Sequence, residues 1–234
     1  MKKIIITQSN YIPWKGYFDS MALVDEFVLY DDMQYTRRDW RNRNLIKTPQ
    51  GLQWLTIPVE VKGKYYQKIR DTKVSNKNWV KEHLKTIQFN YAKAQHFKEV
   101  FPFLEQIYLQ AEKLEYLSEI NFIFLQHIKN FLEIKTPIKF CWEYPYDIES
   151  DKNMRLIQLC KLASATDYYS GPAARNYMDI ELFKQHNISV HWLDYSGYKE
   201  YEQLYPPFEH GVSIIDLLLN MGKESRNYLK YIKQ

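Results

Sequence analysis

The chain has 234 residues, of which 45% are hydrophobic and 26% are charged, and its formal net charge is +4. These values are ordinary for a globular protein with a sizeable core, and so small a charge argues against nucleic-acid binding. Without a signal peptide or an apolar run near the roughly 18 residues of a membrane span, the protein is expected in the cytoplasm, away from membranes.

The first elements follow the pattern of a compact βαβ unit. Residues 3–7 form a run rich in isoleucine, which is typical of a strand buried on both faces of a parallel sheet. Helical spacing over residues 17–24 and a second apolar run over residues 26–30 come next. Strand, loop, helix and strand within thirty residues predict a βαβ unit.

In the middle of the chain the predicted structure changes from strands to helices. A strand is predicted over residues 52–61, and apolar spacing then predicts helices over residues 79–95 and 103–131. Pro102 is placed in the first turn of the second helix, where a missing amide proton costs least. We therefore expect a helical insertion at about residues 75–135.

The remainder returns to alternating strands and helices. This alternation predicts an α/β protein with a mostly parallel sheet, organised as a single domain over residues 1–234. Strands are predicted over 138–143, 167–169 and 189–193, and helices over 151–163, 180–186 and from 214 onward, the last with Ser213 as its N-cap.

The loop after the first strand is the first candidate site. Its amide and phenol groups can hydrogen-bond a polar ligand, and its tryptophan offers a stacking face. The competing interpretation is an ordinary tight connection whose aromatic side chains pack inward. The candidate residues are Gln8, Asn10, Tyr11, Trp14 and Tyr17.

The second candidate is the charged segment over residues 31–47, with four arginines between positions 37 and 43. Guanidinium groups are planar, permanently charged and suited to phosphate, and Asp31 and Asp32 at a strand end could hold Mg²⁺ beside it. The competing interpretation is a solvated charged loop. The substrate-binding candidates are Gln34, Arg38, Arg41, Asn42 and Arg43.

The third candidate is the segment over residues 168–177, where small residues separate a strand from a helix. Such residues let backbone amides approach an anion, and Ser170, Arg175 and Asn176 could contact the same charge. The spacing is not that of a P-loop, so a plain strand-to-helix turn is the alternative.

Among the histidines, His83 is the candidate proton acceptor, with a purely structural helical histidine as the alternative. The histidines and the two cysteines lack metal-ligand spacing, so no resident metal is predicted and the cysteines are expected to be free thiols.

Several motifs closely resemble the WbqC-like protein family across nearly the whole chain. The resemblance implies work on an activated sugar in bacterial O-antigen or other surface-polysaccharide synthesis. It favours transfer of an acyl or aminoacyl group to the amine of a nucleotide-linked amino sugar. The motifs are residues 8–18, 31–44, 52–59, 79–83, 168–173 and 213–218.

The element order also resembles the Rossmann-like fold of nucleotidylyltransferases and pantothenate synthetase, which implies ATP with Mg²⁺ as the candidate cofactor. Those proteins carry histidines where Tyr11 and Tyr17 stand here. A neutral phenol cannot replace an imidazolium, which argues against adenylyl transfer.

These observations define an enzyme hypothesis and its alternatives. Arg38, Arg41 and Arg43 would hold a pyrophosphate, and His83 or Asp32 would take the proton of the amine. A non-catalytic sugar-nucleotide binding protein is the main alternative, and RNA binding is the least favoured. The 20 tyrosines are compatible with a homodimer interface.

Overall fold

A computed structural model describes residues 1–232, and these residues contain two β-sheets. The larger sheet has five strands, which are β1 (Lys3–Thr7), β2 (Glu26–Leu29), β5 (Ile138–Phe140), β6 (Asp167–Ser170) and β7 (Ser189–Trp192). The smaller one is an antiparallel hairpin of β3 (Arg43–Thr48) and β4 (Gly51–Thr56).

All strands of the larger sheet run parallel, in the order β5-β2-β1-β6-β7. Counted within the sheet, this is the order 3-2-1-4-5 of Rossmann-like sheets. The chain builds outward from β1 to one edge and then returns to the other side of β1. The topology therefore reverses between β1 and β6, and the predicted α/β class is confirmed.

Helices cover both faces of the large sheet. The α-helices are α1 (Lys15–Leu23), α2 (Trp79–Tyr91), α3 (Phe97–Ala111), α4 (Leu117–Phe131), α5 (Lys152–Leu162), α6 (Ile180–Gln185) and α7 (Ile214–Met221). None of the helices within residues 1–232 combines the length and apolarity needed to cross a membrane.

The isoleucine run of β1 supplies both cores because successive side chains of a strand point to opposite faces. Ile5 packs in the larger core with α1, the helices α2 to α4 and α7. Ile4 and Ile6 pack in a second core with α5 and α6. All three isoleucines are buried, as expected for a central strand between two helical layers.

The prediction of one helix over residues 103–131 was wrong. The chain forms α3 and α4 with a break at residues 112–116, where tertiary pairing replaces helical hydrogen bonds. The amide of Val74 donates to Glu115 O at 2.9 Å, and the amide of Leu117 donates to Thr72 O at 2.9 Å. Pro102 lies inside α3 rather than in a first turn, because the helix already begins at Phe97.

Several strand boundaries also differ from the prediction, among them that of β5, which ends at Phe140 rather than at residue 143. The segment over residues 52–61 is shorter, because β4 ends at Thr56. Its partner β3 begins at Arg43, inside the segment expected to be a charged loop, and Arg43 pairs with Thr56 across the hairpin. The pairing of β3 with β4 depends on contacts between two segments. The residue pattern of either segment alone does not reveal it.

Candidate functional site

A cavity of about 390 Å³ opens at the carboxyl ends of β1 and β6, where the topology reverses. In open α/β sheets, this crevice is the usual place for a ligand. We call it the cationic cavity. It is lined by Ile6, Thr7, Gln8, Tyr30, Met33, Arg41, Lys152, Arg155, Leu156, Tyr168, Ser170, Gly171, Ala173, Ala174 and Tyr177.

One wall is the small-residue turn after β6. Gly171 and Ala173 line the cavity, and a short 3₁₀ helix, Pro172–Asn176, follows directly. The backbone of this turn comes close to the cavity because its side chains are small. The segment over residues 168–177 therefore lines one side of the cavity.

A second wall is the first turn of α5. The carboxylate of Asp151 caps this helix by accepting from the amide of Asn153 at 2.8 Å. The cap places Lys152 and Arg155 at the start of the helix, and both side chains line the cavity. Cations near a helix N-terminus are electrostatically unfavourable unless an anion lies close by.

Arg41 enters the cavity from the loop that precedes β3. Its carbonyl accepts from Asn121 Nδ2 at 2.9 Å, and its Nη1 donates to Asn10 Oδ1. The amide of Tyr11 also donates to Trp40 O at 3.0 Å, which ties this loop to the loop after β1. These contacts bring a guanidinium group next to the end of the first strand.

The polar atoms around the cavity are not fully paired within residues 1–232. The hydroxyl of Tyr30, a residue only 8% exposed, has no hydrogen-bond partner there, and neither do the Nε atoms of Arg41 and Arg155. Burial raises the pKa of Tyr30 to about 12, so its phenol remains a donor at neutral pH. Among the described residues, unpaired Nε atoms also occur at Arg43 and Arg226, outside this cavity, so the unpaired hydroxyl of Tyr30 is the more specific indication of a hydrogen-bonding ligand.

The two neighbouring aspartates do not line this cavity. Asp31 is fully buried and accepts from the amide of Ser9 at 2.8 Å and from the hydroxyl of Ser118. Burial raises the pKa of the Asp31 carboxyl.

Asp32 accepts from Arg70 Nη1 and from the hydroxyl of Tyr146, both at 2.8 Å. These contacts occupy Asp32, just as Ser9 and Ser118 occupy Asp31. No group of three His, Cys, Asp or Glu side chains within residues 1–232 is arranged to hold a metal ion.

His83 lies in the interior and lines none of the cavities described here. Its Nε2 is 3.2 Å from Thr56 O, which can only accept, so Nε2 carries the proton. Nδ1 therefore accepts from the hydroxyl of Tyr11 at 2.8 Å, and Tyr11 accepts from the hydroxyl of Tyr108 at 2.6 Å. Burial lowers the pKa of His83 to about 4, which keeps the ring neutral. This is the geometry of a structural histidine.

The cationic cavity brings together three of the sequence-predicted residues, Gln8, Arg41 and Ser170. Asn10 and Trp14 line a neighbouring cavity of about 340 Å³, which we call the tryptophan cavity, together with Pro13, Trp40, Asn44, His210 and Gly211. Tyr17 is buried and supports the loop, since its hydroxyl donates to Gln8 O at 3.0 Å.

The remaining predicted side chains point elsewhere. The guanidinium of Arg43 lies 3.9 Å from the ring centre of Trp54, and that of Arg175 lies 5.3 Å from Trp192. Other contacts engage Gln34 Nε2, which donates to Tyr65 O, and Asn42 Nδ2, which donates to Ile57 O. Arg38 and Asn176 are exposed and do not line the cationic cavity.

Lys152, Arg155 and Tyr30 line the cavity and were not among the sequence candidates. One signal was available for the two cations. They lie three residues apart in the first turn of a helix whose cap, Asp151, is visible in the sequence. Residues three apart in a helix lie on the same face, so the spacing of Lys152 and Arg155 predicts that their charges lie close together.

Fold and cavity together define a doubly wound α/β protein with a cation-lined crevice at the switch point of its sheet. The chain belongs to the WbqC-like protein family, whose model matches residues 8–228. It is 51% identical over 234 residues to the uncharacterized protein Rv1507c of Mycobacterium tuberculosis, a match that covers 100% of both chains. No solved structure is a significant match.

Gly16 provides the space in which the Trp14 ring lies, and this leads to a testable prediction. A Cβ atom at position 16 would lie 2.3 Å from the Trp14 ring. We expect Gly16→Ala to lower the free energy of unfolding by about 1–3 kcal/mol through overpacking, as measured by urea denaturation.

Gly171→Ala is the matched control, because its Cβ would have no neighbour closer than 4.0 Å. It should change the free energy of unfolding by less than about 0.5 kcal/mol. Equal effects of the two substitutions would show that the Trp14 ring does not require this glycine.

Proposed function

We propose that this protein binds a nucleotide-linked amino sugar in the cationic cavity and forms an amide at the amine of the sugar, as a step in bacterial surface-polysaccharide synthesis. The observation that carries the proposal is the convergence of Arg41, Lys152 and Arg155 on one cavity whose buried donors have no protein partner within residues 1–232.

A diphosphate fits this group of side chains. The guanidinium groups of Arg41 and Arg155 each keep donors beyond the Nη1 atoms that bind Asn10 Oδ1 and Ile148 O. The Lys152 ammonium adds a compact positive charge. The phenol of Tyr30 supplies a neutral donor. No aspartate or glutamate is among the lining residues, and the nearest carboxylate to Arg41 is that of Asp39, whose Oδ2 lies 3.8 Å from Arg41 Nη2.

Amide formation needs an amine held against an activated acyl carbon. Holding two reactants in productive geometry can contribute roughly 7–11 kcal/mol to the barrier reduction. With an acyl thioester as the donor, the C–N bond forms as the bond between the acyl carbon and sulfur breaks, and the proton lost by the amine ends on the departing thiolate. The protein's part in this reaction is to fix the diphosphate and so the position of the amine.

A second candidate is binding of the same ligand without chemistry. It is favoured by the absence of any carboxylate or imidazole among the residues that line the cationic cavity within the described chain. Such a protein would carry or present a sugar nucleotide to another component of the same synthesis.

One experiment tests the proposal and separates the two candidates. The protein is titrated calorimetrically with UDP, UDP-N-acetylglucosamine and UDP-glucosamine. It is then incubated with the amino-sugar nucleotides and with acyl thioesters or aminoacyl donors, with and without ATP and Mg²⁺, and products are identified by mass spectrometry. A new amide supports the enzyme, and binding without product supports the carrier. Absence of any nucleotide binding contradicts both candidates.

A further inference from the structure

The tryptophan cavity adjoins the cationic cavity through a shared wall. Arg41 lines the cationic cavity and Asn10 lines the tryptophan cavity, and Arg41 Nη1 donates directly to Asn10 Oδ1. Trp40 lines the tryptophan cavity, and the next residue in the chain, Arg41, lines the cationic cavity. A single ligand that occupies both cavities has to cross this Arg41–Asn10 contact.

The aromatic rings of the tryptophan cavity are held in place from behind. Trp14 packs edge-on against Tyr195, with ring centres 5.2 Å apart. Trp40 packs against Trp54 at 5.3 Å, and Arg43 covers Trp54. Trp40 nevertheless remains 42% exposed. The cavity thus presents a supported indole surface that the protein itself leaves open.

The polar side chains of this cavity are Asn10, Asn44 and His210, and Asn10 adjoins the cationic cavity. Arg41 can only donate, so its contact with Asn10 identifies the accepting end of that amide as Oδ1. The Nδ2 of Asn10 has no protein partner among residues 1–232, so its two protons are available. Asn44 offers nothing comparable, because its Nδ2 already donates to Tyr11 O and Ile12 O and its Oδ1 accepts from the amide of Leu45.

We infer that the tryptophan cavity is a sugar subsite, in which a pyranose ring packs on Trp40 and Trp14 while its hydroxyl or N-acyl oxygen accepts from Asn10. A pyranose has an apolar C–H face for the indoles and oxygens for the amide. A nucleobase would also stack on these indoles, and it differs in the test below because the affinity for UDP would then fall in Trp40→Ala. This inference rests on the proposed function and adds the place of the sugar.

The size of the cavity agrees with one ring. Its volume of about 340 Å³ is near the lower end of the range of about 300–1,000 Å³ found for small-molecule pockets. A mostly apolar lining with a few directed polar groups is the usual composition of such pockets. The sugar would then lie across the Arg41–Asn10 contact from the diphosphate.

The test compares the affinities for UDP and UDP-N-acetylglucosamine by calorimetry in the wild type and in Trp40→Ala. We expect the sugar to increase affinity about tenfold in the wild type, and this gain to fall to about one in Trp40→Ala with the affinity for UDP unchanged. Trp40→Phe should retain part of the gain. Tyr66→Ala removes an 83% exposed aromatic residue that lines neither cavity, and it should behave as the wild type.

A second measurement keeps the inference separate from the proposed function. Saturation-transfer NMR with the methyl glycoside of glucosamine, which has no phosphate, should show transfer to ring protons in the wild type and none in Trp40→Ala. No transfer in the wild type would overturn the sugar subsite even if UDP binds. Transfer without any binding of UDP would overturn the proposed function and leave the subsite. An equal sugar gain in both proteins would also overturn the inference.

Discussion

Replacing Arg41 and Arg155 together by alanine is expected to weaken binding of a nucleoside diphosphate by roughly 10²–10⁴-fold. Both side chains line the cationic cavity with an unpartnered Nε. Each hydrogen bond to a charged group contributes about 1.5–3 kcal/mol, and two are removed at least. Isothermal titration calorimetry with UDP measures the effect.

The matched control is Lys161→Ala, which removes an exposed cation from the other end of the same helix, α5. It should leave the affinity unchanged, because Lys161 does not line the cavity. Arg41→Lys should lose part of the affinity, since an ammonium keeps the charge and loses the planar fork. A double variant that binds as tightly as Lys161→Ala would refute the assignment of the cavity to an anion.

Protonation of His83 is expected to destabilise the protein as the pH falls from about 6.5 to about 4. The pKa of this ring is about 4 in the fold, against 6.5 for a histidine in water, so the unfolded chain binds more protons between these values. The contribution of neutral His83 is therefore complete above pH 6.5 and decreases toward pH 4. The total change is about 3 kcal/mol, and urea denaturation at several pH values measures it.

His83→Gln provides the comparison that isolates this effect. Buried carboxylates such as Asp31 and Asp216 have raised pKa values and act in the opposite direction, but they are present in both proteins. The difference between the two stability curves should shrink toward low pH. Parallel stability curves for the two proteins would contradict a buried neutral His83, and loss of product formation in the variant would assign the ring a part in the reaction as well.

Much of the sheet could be predicted from short stretches of sequence. Ile4 to Ile6 carry enough apolar character on both faces to indicate a central parallel strand, and the strands at 26–29, 167–170 and 189–192 lie within one residue of their predicted bounds. The order of these strands was not part of the prediction, because β2 and β5 are neighbours in the sheet although the hairpin and the helices α2 to α4 lie between them in the chain.

The candidate site was predictable only in part. Gln8 and Ser170 follow β1 and β6, and side chains directly after adjacent parallel strands meet at one edge of the sheet. Arginines in an irregular segment follow no strand end and no hydrophobic period, so the sequence does not predict where their side chains point. Arg43 stacks on Trp54 because the hairpin register brings the two together, and the contact with Asn10 directs Arg41 toward the cavity.

The amino-acid sequence was sufficient for the α/β class, the strands and the presence of anion-binding residue types, because these depend on hydrophobic period and side-chain chemistry close in the chain. Tertiary packing decided which cationic side chains meet at the cationic cavity. That packing buried His83 between Tyr11 and Thr56 and brought Arg155, more than a hundred residues from Arg41, to the same cavity. Contacts between distant segments set the direction of a loop side chain, and no local pattern encodes them.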